Sequence, residues 1–174
     1  VWLEAVPEKY IRSLDVRTGE NYAEIRAEGI TEGIVSLEGR DYPLTDGSVR
    51  IGIPDPEMWS PEHPRLYRFT VTGGEDRVES YFALRTLSVK RIEGKPRLCL
   101  NGKPFFFHGL LDQGYWSDGI YTPAEAAEYE RDILRMKELG FNMLRKHIKV
   151  EPEAFYEACD RLGMLVMQDM VNNG

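Results

Sequence analysis

The C-terminal part of the chain, residues 104–174, alternates short apolar runs with helical patterns, and this alternation constrains the fold more than any other feature. Its centre is the run FNMLRKHI at residues 141–148, which has a helix signal on either side. Strand, helix, strand, helix, strand is typical of a parallel sheet built from βαβ units with right-handed crossovers. Three such strands fit either a small open sheet or the first part of a (β/α)8 barrel.

The parallel strands are predicted from short apolar runs, the first of which is apolar on both faces, as buried parallel strands are. They cover residues 105–108, 141–148 and 164–170. The first follows Asn101-Gly102, a dipeptide that favours a tight hairpin.

The two predicted helices carry apolar stripes at helical spacing. The first is predicted to end at Gly140, and the second to run from Pro152 to Gly163. The first also has a capping-box pattern at its start, formed by Thr122, Pro123 and Glu125.

Residues 8–85 contain six or seven short runs with apolar side chains at every second position. Turn dipeptides such as Asp46-Gly47 and Gly73-Gly74 separate them. This pattern predicts an antiparallel β-sandwich of immunoglobulin type, without the Cys–Trp–Cys pattern of antibody domains. A proline-rich loop at residues 55–67 interrupts it, and Trp59 is predicted to pack that loop onto the sandwich, with sugar stacking as the alternative.

The composition excludes some classes of function. The net charge is −7 and no basic run occurs, so a nucleic-acid partner is not expected. No apolar run is long enough to span a bilayer. Cys99 and Cys159 are predicted to be buried free thiols rather than a disulfide, and residues 1–7 look like the last strand of a preceding domain.

The end of the central strand is the candidate site, because ligands bind at the carboxyl ends of parallel strands. Arg145, Lys146 and His147 come together there. A long loop at residues 110–122, rich in Gly, Asp and aromatic residues, leaves the first predicted strand at the same edge.

Several strings resemble one family in the same order and spacing. They are VWLE, WSPEHPRLY, ALRTLSV, LNGKPFFFHGLLDQGYW, DILRMKELGFNMLRKHI and FYEACDRLGMLVMQD. Together they resemble glycoside hydrolase family 2, which includes β-galactosidases, β-glucuronidases and β-mannosidases. The resemblance implies that residues 1–7 end a jelly-roll domain, 8–85 form an immunoglobulin-like sandwich, and 86–174 begin a TIM-barrel catalytic domain.

The resemblance also implies a retaining glycosidase mechanism with two glutamates about 5–5.5 Å apart. In the family these follow the fourth and seventh barrel strands, so we expect the chain to be an inactive fragment that lacks both. Glu151 and Glu153 lie beside a predicted helix start, where carboxylates are favoured without any catalytic role.

The remaining family positions imply part of a sugar pocket. Arg145 matches an arginine that holds the nucleophile, and His147 lies one residue before the usual position of a sugar-binding histidine. Salt-bridge and core roles are the alternatives for these two. The further predicted substrate-binding residues are Asp112, Trp116 and Asp169. Residues 170–174 lack the Glu and His that bind magnesium in some β-galactosidases, so neither a metal nor another cofactor is implied.

Two further hypotheses stay open. The chain could be a non-catalytic carbohydrate-binding or spacer module, as its aromatic loop indicates. It could also be an unrelated α/β domain, although no phosphate-binding Gly-rich loop is present. The expected partner is a carbohydrate, with no membrane partner, and the open barrel edges predict self-association of the fragment.

Overall fold

The computed structural model describes residues 3–171 and divides into two compact units. The first unit runs to Met58 and resumes at Leu66–Thr86. The second consists of Trp59–Arg65 and the chain from Leu87 onward.

The first unit is an antiparallel sandwich of two sheets. One sheet has the order β1-β2-β5 and the other β4-β3-β6-β7. The strands are β1 Ser13–Thr18, β2 Tyr22–Glu28, β3 Gly33–Leu37, β4 Arg40–Leu44, β5 Ser48–Gly52, β6 Tyr67–Gly73 and β7 Asp76–Phe82. The predicted immunoglobulin-like sandwich is therefore confirmed.

Period-two alternation builds the core of this sandwich, because every second side chain of a strand projects to the same face. In β6, Tyr67, Phe69 and Val71 are buried, and the residues between them are more exposed. Strand β4 is not among the predicted runs, and it contains Pro43. It lies at a sheet edge, where a residue without an N–H is tolerated.

The second unit contains an antiparallel sheet, a parallel sheet and two helices. Strands β8, β9 and β10 pair antiparallel, and β11, β12 and β13 pair parallel in that order. The elements are β8 Leu87–Ile92, β9 Lys95–Leu100, β10 Lys103–Pro104, β11 Gly109–Asp112, α1 Ala127–Glu138, β12 Met143–Lys146, α2 Glu153–Leu162 and β13 Leu165–Gln168. This confirms the predicted βαβαβ order, and the parallel strands form an open sheet within the described residues.

The first parallel strand lies later in the chain than predicted. Residues 105–108 form no strand, and Phe106 is exposed. The side chain of Asn142 takes the place of a strand partner there: its Oδ1 accepts from His108 N at 2.9 Å, and its Nδ2 donates to Phe106 O at 2.9 Å. The apolar pattern predicted a strand at residues 105–108, but the Asn142 amide bonds to this backbone instead. Pairing with β12 begins only at Gly109.

The predicted capping box at the start of α1 is wrong. The helix begins at Ala127, and its N-cap, Ala126, makes no side-chain capping bond. Asp118 instead accepts bonds from Gly119 N at 2.7 Å and Ala124 N at 3.3 Å, which holds the preceding turn. The predicted C-terminal signals hold, since Gly140 and Gly163 adopt φ of +89° and +79°.

The two faces of the parallel sheet differ. Leu144 projects toward the helices and is buried with Tyr129, Ile133 and Phe155. The opposite face, which we call the open face, carries residues of alternate register such as Met143 and lines an apolar groove of about 480 Å³ with the β8–β9 hairpin. Self-association through such a face stays a prediction.

The loop that carries Trp59 belongs to the second unit, so its predicted packing onto the sandwich is wrong. Trp59 is fully buried, and its indole Nε1 donates to Asp160 O at 2.7 Å. Lys137 Nζ donates to Pro61 O at 2.7 Å and to Gly163 O at 3.0 Å. These bonds fix the loop against the ends of α1 and α2.

The N-terminal segment, the two cysteines and the two helices were also the subject of predictions. Residues 3–7 form no strand, and Val1 and Trp2 of that predicted strand lie outside the described residues, as do 172–174. Cys99 and Cys159 are free and buried, as predicted, and burial raises the pKa of Cys159. Neither described helix is long and apolar enough to cross a membrane.

Trp59→Ala is expected to destabilise the second unit by about 3–5 kcal/mol, because it removes a fully buried indole. Hydrogen exchange should show faster opening of α2, with β6 much less affected. Trp59→Phe is the matched control, which keeps an aromatic ring and loses about 1 kcal/mol with the bond to Asp160. Faster exchange in β6 alone would contradict this assignment of the loop.

Candidate functional site

The carboxyl ends of β11, β12 and β13 form one rim, because the three strands are parallel and in register. Asp112 pairs with Lys146, and Lys146 pairs with Gln168. The ladder continues past the strands: His147 N donates to Asp112 O at 2.9 Å, and Asp169 N donates to Lys146 O at 3.0 Å. The residues directly after β12 and β13 are therefore still hydrogen-bonded to the neighbouring strand.

An arginine–carboxylate pair lies on the open side of this rim. Arg145 Nη2 lies 3.0 Å from Asp169 Oδ2, and its Nε donates to Asp169 Oδ1 at 3.2 Å. The Arg145 side chain is 52% exposed and that of Asp169 is 22% exposed. This two-bond geometry fixes the direction of both side chains while leaving the pair accessible to a ligand.

His147 lies two residues beyond Arg145, so strand alternation places it on the same face. Its Nδ1 lies 3.3 Å from Nε2 of Gln113, the first residue after β11. The structure thus pairs Arg145 with Asp169, and pairs His147 with Gln113, which the sequence did not single out.

Asp112 and Trp116, the other two predicted substrate-binding residues, lie on the helix side. Asp112 Oδ2 is 2.9 Å from Lys146 Nζ, and its Oδ1 accepts from Gly114 N at 2.8 Å. Trp116 packs edge-on against Tyr129 with ring centroids 5.5 Å apart. These contacts are structural, and a role of either residue in substrate binding stays a prediction.

A buried ion cluster lies beneath the rim on the helix side. Its members are Lys146, Lys149 and Glu151, which are 1%, 4% and 5% exposed. Glu151 Oε1 is 2.5 Å from Lys146 Nζ and 2.9 Å from Lys149 Nζ. Asp112, on the other side of Lys146, supplies a second negative charge. The cluster and Asp112 together therefore contain two positive and two negative charges, which balance.

Two tyrosines extend the cluster. Tyr129 donates to Glu151 Oε2 at 3.2 Å, and desolvation, followed by the Glu151 charge, raises the pKa of Tyr129 above its ordinary value. The hydroxyl of Tyr156 accepts from Glu151 N at 3.1 Å and donates to Gln168 Oε1 at 2.6 Å. Hydrogen bonds therefore run from the cluster to the end of β13.

The sequence predicted that Glu151 only lies near a helix start, where a carboxylate is favoured. The structure shows Glu151 buried and ion-paired. One signal could have indicated this. Lys146 alternates with Leu144, so the period of the strand places its ammonium in the helix layer, where it needs a carboxylate. Within residues 3–171, no group of three or more His, Cys, Asp or Glu side chains could hold a metal ion.

Comparison with known protein families accounts for both units. The model described as "Glycosyl hydrolases family 2" matches residues 11–85, and "Glycosyl hydrolases family 2, TIM barrel domain" matches residues 91–174. The chain belongs to glycosyl hydrolase family 2.

Curated relatives from this family carry two kinds of name. A "Beta-galactosidase" from Lactococcus lactis is 32% identical over 183 residues, which cover 96% of this chain and 18% of that protein. A "Putative beta-glucuronidase" from Formosa agariphila is 25% identical over 198 residues, covering 98% of this chain and 23% of that protein. The family 2 chain described here thus spans less than a quarter of the length of these relatives.

Solved structures share the fold. A Faecalibacterium prausnitzii β-glucuronidase aligns with a TM-score of 0.81 at 23% identity, covering 95% of this chain and 28% of that one. A β-D-glucuronidase of Dictyoglomus thermophilum aligns with a TM-score of 0.75 at 20% identity, covering 95% and 30%. The arrangement of strands and helices in both units is therefore the family 2 arrangement.

Lys146→Met is expected to cost about 3–5 kcal/mol of stability, because it leaves Glu151 and Asp112 with an uncompensated buried negative charge. Arg145→Met is the matched control one residue away on the open face. Its ion pair is exposed, so its loss should cost only about 0–1 kcal/mol. Urea unfolding measures both, and equal losses would contradict the burial of the cluster.

The raised pKa of Tyr129 predicts a loss of stability at alkaline pH. A group whose pKa is higher in the folded state holds its proton more tightly there, so its contribution is complete below the ordinary value of 10.0 and declines above it. Tyr129→Phe should flatten the decline in unfolding free energy above pH 10 relative to the parent chain. An identical slope in both proteins would refute this contribution.

Proposed function

We propose that this chain is part of a retaining glycosidase that acts on β-linked sugars, and that the open side of the rim is one wall of its sugar pocket. The observation that carries the proposal is the set of polar groups at the carboxyl ends of three parallel strands. Arg145 with Asp169 and His147 with Gln113 are each paired there. In barrel enzymes the ends of several strands supply the groups of one site.

The chemistry of these groups suits sugar hydroxyls. Asp169, bonded to Arg145, remains an acceptor for hydroxyl protons, and the amide of Gln113 can both donate and accept. The Arg145 bonds to Asp169 use Nε and Nη2, so Nη1 remains for a further carboxylate. We assign that position to the nucleophile of the parent enzyme.

The chain alone is proposed to be inactive. Retaining hydrolysis needs two carboxyl groups about 5–5.5 Å apart, one of which must be able to give and take a proton. Glu151 is held by two lysines and Tyr129 on the other face of the sheet. Both carboxylate oxygens of Asp169 are in contact with Arg145.

A neutral sugar, as in a β-galactoside, is the proposed substrate class. Asp169 would repel the carboxylate of a glucuronide at close range, and the one nitrogen of Arg145 not bonded to Asp169, Nη1, is the one assigned to the nucleophile. The name of the Lactococcus lactis relative is consistent with this choice.

Titration of the purified chain with galactose and with glucuronic acid tests the proposal. Galactose should shift the imidazole resonances of His147 at millimolar concentration, and glucuronic acid should shift them less. Asp169→Asn should weaken the response to galactose by about tenfold, because a charged hydrogen bond is lost. Glu138→Gln, an exposed position at the C-terminal end of α1 and so at the opposite end of the βαβ unit from the rim, is the control and should leave it unchanged.

Two results would contradict the proposal. If neither sugar shifts His147, the rim is not a sugar site. If the chain alone hydrolyses a chromogenic β-galactoside, the proposed inactivity is wrong. Binding without hydrolysis by the chain is the expected result.

A further inference from the structure

The loop that follows β11, residues 113–121, has a closed backbone. Trp116 and Ile120 exchange two backbone hydrogen bonds of 2.9 Å, so the middle of the loop forms its own bridge. Gly114 adopts φ of +65°, a conformation that other residues rarely take. This bridge does not include the carbonyl oxygens of Gly114 and Tyr121, at the two ends of the loop.

Lys149 holds both ends. Its Nζ donates to Gly114 O at 2.5 Å and to Tyr121 O, and the ammonium lies 4.4 Å from the centre of the Tyr121 ring. Its third partner is Glu151 Oε1 at 2.9 Å. Two carbonyl oxygens therefore accept hydrogen bonds from this buried lysine, and Glu151 is its ion-pair partner.

The same residue also reaches the end of β13. Gln168 Nε2 donates to Lys149 O at 2.9 Å and to Asp169 O at 2.7 Å. Gln113, which contacts His147, directly precedes Gly114. Lys149 therefore connects, through its side chain and its carbonyl, to both polar pairs on the open side of the rim.

We propose that Lys149 is a positioning residue that ties the 113–121 loop closed and thereby sets the Gln113–His147 pair at the rim. It touches no group on the open face. Its effect on sugar binding rests on the proposed function, but the tie itself does not.

The simpler role for Lys149 is charge balance within the buried cluster, and two variants separate the roles. Lys149→Met removes both the tie and one positive charge. Lys149→Met/Glu151→Gln also removes one negative charge, which leaves Lys146 with Asp112 as a neutral pair. The double variant therefore restores charge balance without restoring the tie.

Gly114→Ala is a third variant that keeps every charge. A Cβ at this position would collide with Glu151 Oε1 and would lie 2.6 Å from Lys146 Nζ and 2.8 Å from Lys149 Nζ. This substitution disrupts the contact between the loop and Lys149 without changing Lys149 itself. It therefore remains informative if Lys149→Met fails to fold.

Hydrogen exchange of the loop amides and the His147 imidazole spectrum are the readouts, with melting temperature alongside. The double variant should regain much of the melting temperature lost in Lys149→Met. Its loop amides should still exchange at least about tenfold faster than in the parent chain, with a displaced His147 resonance. Gly114→Ala should give the same loop and His147 changes.

The proposal is overturned if the double variant recovers parental loop protection and a parental His147 spectrum, since charge balance then explains the lysine. It is also overturned if Gly114→Ala leaves both readouts unchanged. Failure of the parent chain to bind either sugar would end the proposed function while leaving these loop measurements valid.

Discussion

The ion pairs that Glu151 makes with Lys146 and Lys149 are the interaction on which the rest of the second unit depends. Burying any one of these charges alone would be costly, and the cluster forms only because each is paired and hydrogen-bonded. The cluster residues come from β12 and from the segment before α2. Their partners are Asp112 at the end of β11, Tyr129 in α1 and Gly114 in the 113–121 loop. Charge pairing therefore fixes the elements that make the rim.

Alternation along β12 places its structural side chains and its proposed sugar-binding side chains on opposite faces of the sheet. Leu144 and Lys146 project into the helix layer, where they supply packing and charge pairing, while Met143 and Arg145 project to the open face. A shift in register of one residue would exchange the two sets and bury Arg145 without a partner. The buried lysine thus fixes the register that exposes the proposed sugar-binding arginine.

Periodicity predicted much of the fold, because alternation and helical stripes are local properties of a chain. Most of the sandwich strands, β12 and β13 were found this way, and glycines marked both helix ends. Side chains that replace backbone partners were not: Asn142 next to 105–108 and Asp118 before α1 act across long or irregular loops. At the site, Arg145 and His147 were singled out from a strand end and Asp169 from the family resemblance. The sequence did not show that Asp112 faces Lys146 on the helix side of the sheet.

Lys146 and Lys149 are buried, ion-paired and held by fixed acceptors, and lysine-selective NMR tests this arrangement most directly. Exposed ammonium protons exchange too fast with water to be seen at neutral pH. Two slowly exchanging ammonium signals are expected at pH 7, one of which should disappear in Lys146→Met and the other in Lys149→Met. A spectrum in which neither variant removes such a signal would contradict it.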